Sequence, residues 1–321
     1  TLALLARFAT PLLENVREPI AAWLSEQAGV PIQIGRLRAS WYGIAPRLRL
    51  QRVAIGSPVN PVTLREIAFD LVPAGLLSED PFSALRLTVD GLQLQVQRET
   101  GGQVRVTGLP RLGDTDVVGE QRHLPLPSRL RLRNTRLYWH DLYAKAKPVT
   151  VDDLLLDLHR DGSHLRLRAE LHSNLGNAEF AADVEGYLMT TEWSGSSYLR
   201  VDNIQLANLL QAYIPSHYRV EEGLLDLELW QQWQDAIPVD LRGSLTLQHA
   251  SLANTAEQPR RVKLDRLESD YHFARDAQEW LLQLDRVRVT PADRASWPPG
   301  RVAVRGYSRD NSRWVEAAAD N

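Results

Sequence analysis

Apolar and polar residues follow one another along most of this chain in a recurring unit of eight. In LRVDNIQL, Leu199 to Leu206, apolar residues hold the first, third, sixth and eighth places, and a polar pair holds the middle. The spacing returns in IQIGRLRA from Ile32, LRLQRVAI from Leu48, VTLREIAF from Val62, LTVDGLQL from Leu87 and LRLRNTRL from Leu130. It continues in VTVDDLLL from Val149, LTLQHASL from Leu245, VKLDRLES from Val262 and LQLDRVRV from Leu282, with some decay at the sixth or eighth place. A spacing of two within each half is the grammar of a strand with one apolar face. The step of three in the middle would throw the second apolar pair onto the opposite face of a regular strand. Either the polar pair is a two-residue hairpin turn, for which Asp90-Gly91 and Asp202-Asn203 are suited, or it is a bulge that adds one residue and bends a longer strand. Gln51-Arg52 and Asp285-Arg286 are poor hairpin turns. The copy from Leu87 also has a better turn downstream, at Glu99-Thr100-Gly101-Gly102. The bulge is therefore favoured for most copies.

The one long helical pattern lies at the start. Leu5, Phe8, Leu12, Leu13, Val16, Ile20, Trp23 and Leu24 recur at helical spacing, and Gly29 with Pro31 ends the run, while Pro19 kinks or splits it. This helix of residues 1–29 either caps one end of the sheet and shields its edge or continues a truncated membrane anchor. Strands are expected over 32–39, 48–55, 62–71, 85–98 and 103–107, with one helical turn within 73–82, so that residues 30–108 form a first run of sheet. Residues 109–128, rich in Pro, Gly and charge, read as a mobile loop. Strands resume over 129–140, 149–160, 164–173, 177–186 and 197–202, followed by a short helix in IQLANLLQAYIP. The sheet then continues through 223–233, 239–249, 262–267, 269–274, 280–290 and 301–307. Residues 129–321 thus continue the sheet, and short connections between consecutive strands imply an antiparallel meander along the chain.

Composition narrows the chemistry. The 321 residues include no cysteine, which removes disulfides, thiolate metal sites and a cysteine nucleophile. A formal charge of −3 gives no electrostatic reason to expect nucleic acid. Nine tryptophans and nine tyrosines against five phenylalanines supply aromatics with a polar handle, suited to strand ends and lipid boundaries. No stretch reaches 18 apolar residues, although the opening TLALLARFATPLL reads as cut close to an upstream apolar segment.

No phosphate-binding loop, dinucleotide fingerprint, HExxH or GxSxG element is present. His159 and His164 stand near Asp152, Asp153, Asp157 and Asp161, but beside the turn at Asp161-Gly162 these are ordinary hairpin residues. Trp139-His140-Asp141 reads as a strand end. No catalytic residue, metal or cofactor is expected, and the chain reads as a non-enzyme.

A sheet with a continuous leucine face must cover it, with a second sheet, with a helix, or by curling into a trough. Bulges at one place in strand after strand add twist at matching positions and favour the trough. Such a lining suits acyl chains, since exposing a sixteen-carbon chain to water costs about 12 kcal/mol. The candidate lining is Leu48, Leu50, Leu87, Val89, Leu92, Leu94, Leu130, Leu132, Leu199, Val201, Leu245, Leu247, Leu282 and Leu284. The expected fold is mainly β, a long curled antiparallel sheet forming a groove, with an N-terminal helix.

Five segments carry a family resemblance: PIQIGRLRASWYGIAPRLRLQRVAIG (Pro31 to Gly56), LRLTVDGLQLQVQRETGGQV (Leu85 to Val104), SRLRLRNTRLYWHD (Ser128 to Asp141), YLRVDNIQLANLL (Tyr198 to Leu210) and GLLDLELWQQWQ (Gly223 to Gln234). Together they resemble the N-terminal part of the YhdP family of AsmA-like proteins, most specifically through the G-x-L-x-A-S-W-x-G-x-x-P-R-L-x-L run from Gly35 to Leu50. Val104 departs from the aromatic that relatives often carry there. The resemblance implies a periplasmic groove of a Gram-negative envelope protein, anchored to the inner membrane through the upstream segment. It implies phospholipid acyl chains as partners, transport toward the outer membrane and a share in outer-membrane integrity. A second reading is a non-catalytic scaffold whose sheet edge pairs with an envelope partner.

Overall fold

The apolar stripe near the N-terminus forms helix α1 (residues 17–26) in the computed structural model. The structure describes residues 17–26, 29–42, 45–72, 81–109, 127–144, 146–186, 192–207, 218–254, 260–276, 278–309 and 312–320. Gly29 takes φ 65°, and its N–H bonds the Glu26 carbonyl, so the expected glycine stop is in place. Residues 1–16 of the expected longer helix lie outside the described residues.

The chain is mainly β, with seventeen strands among the described residues, and divides into two units, Thr1–Asn174 and Leu175–Asn321. The first unit holds α1 and strands β1 (Ile32–Tyr42), β2 (Ala45–Ile55), β3 (Val62–Leu71), β4 (Leu85–Asp90), β5 (Gln93–Arg98), β6 (Val104–Val106), β7 (Arg129–Asp141), β8 (Val149–Asp161) and β9 (His164–Ser173). A 3₁₀ turn, Pro81–Ala84, precedes β4, and the turn at Glu99 to Gly102 joins β5 to β6 as expected.

Pairing is antiparallel except at β7, which runs parallel to both β4 and β5. This departs locally from a pure meander. The chain leaves β6 and returns through a long connection, residues 107–128, so it enters β7 from the same end as β4, as a parallel neighbour requires. Residues 110–126 of that connection, and with them most of the expected loop, lie outside the described residues.

The middle of the octapeptide is a bulge. Its fifth residue adopts the left-handed conformation in copy after copy: Arg52 (φ 54°), Gly91 (69°), Asn134 (50°), Asn203 (56°), His249 (49°) and Arg286 (53°). Strands continue through these points except at Gly91, which lies between β4 and β5, and the pairing of β11 with β12 and of β15 with β16, whose ranges are given below, slips by one residue there. Between β1, β2 and β3 the breaks face one another without a slip, whereas β7 and β8 slip there. Ile34 opposes Val53 and Leu37 opposes Leu50; on the other side of β2, Leu50 opposes Ile67 and Val53 opposes Leu64. Apolar places therefore meet apolar places. In these six copies one left-handed residue returns the sixth and eighth places to the face of the first and third.

That face builds the core of the first unit. Ile34, Leu37, Leu50, Val53, Leu64 and Val89 are buried in one cluster, and every one holds the third or sixth place of its repeat. Ile20, Ala21 and Leu24 of α1 pack against it, leaving Trp23 outward. Arg17 donates to the Gly35 carbonyl at 3.2 Å, and the Ile32 N–H donates to Ser25 Oγ at 2.8 Å, which clip the helix to β1. The helix thus lies on the face of the sheet rather than at its edge, because the bulges have gathered the apolar places there.

The second unit holds β10 (Gly176–Glu185), β11 (Ser194–Gln205), β12 (Tyr218–Gln234), β13 (Ile237–Asn254), β14 (Arg261–Arg275), β15 (Glu279–Pro291), β16 (Gly300–Arg309) and β17 (Ser312–Asp320). From β10 to β17 each strand pairs antiparallel with the next. The two runs expected at 262–267 and 269–274 are one strand, bent where the registers of β14 and β15 slip. Strand β17 was not expected, since SRWVEAAAD carries alanines of low strand preference. Leu206 and Ala207 are helical, and the rest of the short helix expected after them lies outside the described residues.

Candidate functional site

The candidate lining residues of the first unit do come together, but beneath α1. Leu50 and Val89 belong to the buried cluster, and Leu48, Leu87, Leu92, Leu130 and Leu132 pack against it with the helix. Parallel pairing sets Leu87 against Leu130 and Val89 against Leu132, place matching place. Leu94 stands outside the cluster, half-buried, opposite Leu137. In this unit α1 packs on the buried cluster, while the lining residues around it stay half-buried.

In the second unit the same face stays half-exposed. One row crosses all eight strands: Phe180, Leu199, Leu229, Gly243, Tyr271, Leu284, Val302 and Ala319 are successive partners. A second links Ala178, Val201, Leu227 and Leu245, and a third Leu241, Phe273, Leu282, Val304 and Ala317. Beyond the bulges, Ile204, Leu225, Leu247, Leu267 and Val289 form a fourth. Leu199, Val201, Leu245, Leu247, Leu282 and Leu284 are all half-buried; within these four rows Ile204 is the sole fully buried aliphatic. A contiguous apolar face of this breadth marks a binding surface.

The few polar groups on the face are satisfied locally. Tyr271 lies across Gly243, where a Cβ would come within 2.6 Å of its hydroxyl, and that hydroxyl donates to the Glu228 carbonyl at 2.9 Å. Burial, and then the nearby Glu228 carboxylate, push the Tyr271 phenol up to about 12. Ser269 donates to the Asp270 carbonyl at 2.8 Å. Trp280 stacks near Phe273 at 6.3 Å and covers Gly306. These glycine–aromatic pairs were missed in the sequence, where no spacing relates residues on different strands.

The opposite face is a ladder of ion pairs. Asp240 takes Arg242 and His272, Glu268 takes Arg266, and Arg286–Asp270, Arg301–Asp285 and Arg305–Glu279 follow. Burial works against the Asp240 charge, but hydrogen bonds from Arg242 and His272 outweigh it and hold the carboxyl low. In the first unit Asp157 is held low chiefly by its hydrogen bond from Arg129, with Arg131 adding to it. Asp157 is thereby committed to arginines, and Asp161 pairs with His164 across a turn carrying Gly162 at φ 60°. Among the described residues no group of three His, Asp or Glu is placed to hold a metal ion.

What the described residues offer is a greasy face backed by a charged one. The family model described as YhdP protein matches residues 1–320. The chain belongs to the YhdP family. No curated protein and no solved structure gives a match. The family and the large β-sheet fit an AsmA-like module. Among the described residues no helix is long and apolar enough to cross a membrane.

Proposed function

We propose that this YhdP-family chain is a non-catalytic groove module that binds phospholipid acyl chains. In the envelope it contributes to phospholipid movement between the inner and outer membranes, and so to the outer-membrane barrier. Its place is the periplasm, with an inner-membrane anchor upstream. The observation that carries the reading is the half-exposed aliphatic face of the second unit, four rows wide and free of charge within those rows. An inward charge would be a costly interruption of a path for hydrocarbon.

The direct experiment is mass spectrometry of lipids extracted from gently purified protein, with Leu245→Asp alongside. Phospholipid on the parent protein and its loss from a still-folded variant support the reading. Parent protein that carries no lipid, with envelope function intact after substitution at Leu199, Leu245 and Leu284, overturns it in favour of a scaffold acting through its sheet edge.

A further inference from the structure

The strand ends of the second unit are not alike. β12 ends, β13 begins, β14 ends and β15 begins on the same side, because Trp233 opposes Pro238, Asp240 opposes Ala274 and Arg275 opposes Trp280. On the apolar face this side carries Trp233 and Trp280. Trp233 packs tilted against Trp193, ring centroids 5.2 Å apart, and donates its indole N–H to Ser197 Oγ at 2.9 Å. The other ends of the same strands carry Val220 opposite Leu252 and Leu252 opposite Val262 on that face, with a tyrosine, Tyr218, beyond Val220 and no tryptophan on these strand ends.

Along β14 the face therefore passes from Leu267 through Tyr271 and Phe273 to Arg275, the first charge it meets, and then to the polar turn at Asp276. Arg275 is exposed and its side chain has no partner among the described residues, while Arg242 and Arg305 near this lip are held by Asp240 and Glu279. Aliphatic floor, amphipathic aromatic belt, then cation is the order of chemistry across one leaflet of a bilayer, from acyl chain through glycerol ester to phosphate.

We infer that this lip is the headgroup side of the groove: Arg275, flanked by Trp280 and Trp233, receives the phosphate of a glycerophospholipid whose chains lie on the rows of Leu227, Leu245 and Leu284. The inference rests on the acyl-chain reading above and adds a direction to it. Lipids lie along the strands with their headgroups at one lip, so every bound molecule shares an orientation. The guanidinium supplies a charge-assisted contact to the phosphate, which all glycerophospholipids share, whatever the headgroup beyond it.

Two photoreactive probes separate the readings: a phosphatidylethanolamine with a diazirine on its headgroup amine, and one with the diazirine at the end of an acyl chain. Each is irradiated with the purified chain and the labelled peptides are mapped. The headgroup probe is expected to label peptides containing Trp233, Arg275 or Trp280, and the tail probe those containing Leu247 or Val289. Arg275→Glu is expected to cut headgroup labelling at the lip several-fold, and Arg275→Lys to restore most of it. Headgroup labelling at Tyr218 to Val220 or Leu252 to Val262, with the tail probe still bound, overturns the orientation while leaving the groove. Failure of both probes to label the second unit overturns the acyl-chain reading itself.

Discussion

Asn134 and Gly91 stand level with each other across the parallel junction of the first unit, both in the left-handed conformation. Gly91 donates to the Arg133 carbonyl at 3.0 Å, and the Asn134 side chain donates to Asp90 at 2.6 Å. The junction of β4 and β5 at Gly91 and the bulge of β7 at Asn134 thus stand side by side. Asn134 tolerates φ 50° because its short amide finds a local partner; a β-branched residue would not.

Asn134→Val is expected to destabilise the fold by about 1–3 kcal/mol, whereas Asn134→Gly stays within roughly 1 kcal/mol of the parent. Chemical denaturation of the two variants checks this. Equal stability of the valine variant would show that the left-handed bulge is not what sets the face.

The two units should answer differently to the same truncation. Leu50→Ala removes packing from a side chain that is 1% exposed beneath α1 and is expected to cost about 2–5 kcal/mol. Leu284→Ala, on the half-exposed face, is expected to cost about 1 kcal/mol or less while lowering the amount of lipid that copurifies. Denaturant midpoints and extracted lipid, measured on both variants, separate a core from a groove lining.

Tyr271 predicts a loss of stability in alkali. Its phenol titrates near 10.0 when unfolded and is pushed up to about 12 in the fold, so the folded state holds the proton more tightly. The contribution is fully present below pH 10 and is lost as pH rises from there through about 12. Tyr271→Phe removes that component of the pH dependence, and loss of its hydrogen bond costs about 0.5–1.5 kcal/mol at neutral pH. Phenolate absorbance during a pH titration follows the group directly.

The octapeptide made the strands, the bulges and the shared apolar face legible, because each depends on residues close in sequence. Asn203 and Gly91 are even the residue types that a left-handed position favours, while Arg52 and Arg286 adopt it without that preference. Three things were not legible. The parallel seating of β7 depends on how a long connection returns. Coverage of Leu50 and Val89 by α1, against the open face around Leu245, depends on which elements dock, and the repeat reads alike in both units. The lip formed by Trp233, Arg275 and Trp280 arises only once register brings three separate strand ends to one side.

Gly306 is the clearest test of packing on the open face. Its missing side chain leaves the space that Trp280 fills; a Cβ there would lie 2.3 Å from the indole ring, and the ring has no equivalent place to go while it stacks with Phe273. Gly306→Val is therefore expected to cost about 1–3 kcal/mol despite valine's preference for strands, and to change the tryptophan emission as Trp280 is expelled. Trp280→Ala alone forfeits the ring's burial. Combined with Gly306→Val it removes the collision, so the double variant should be more stable than the sum of the two single costs. Strict additivity would mean that the indole does not rest on Gly306.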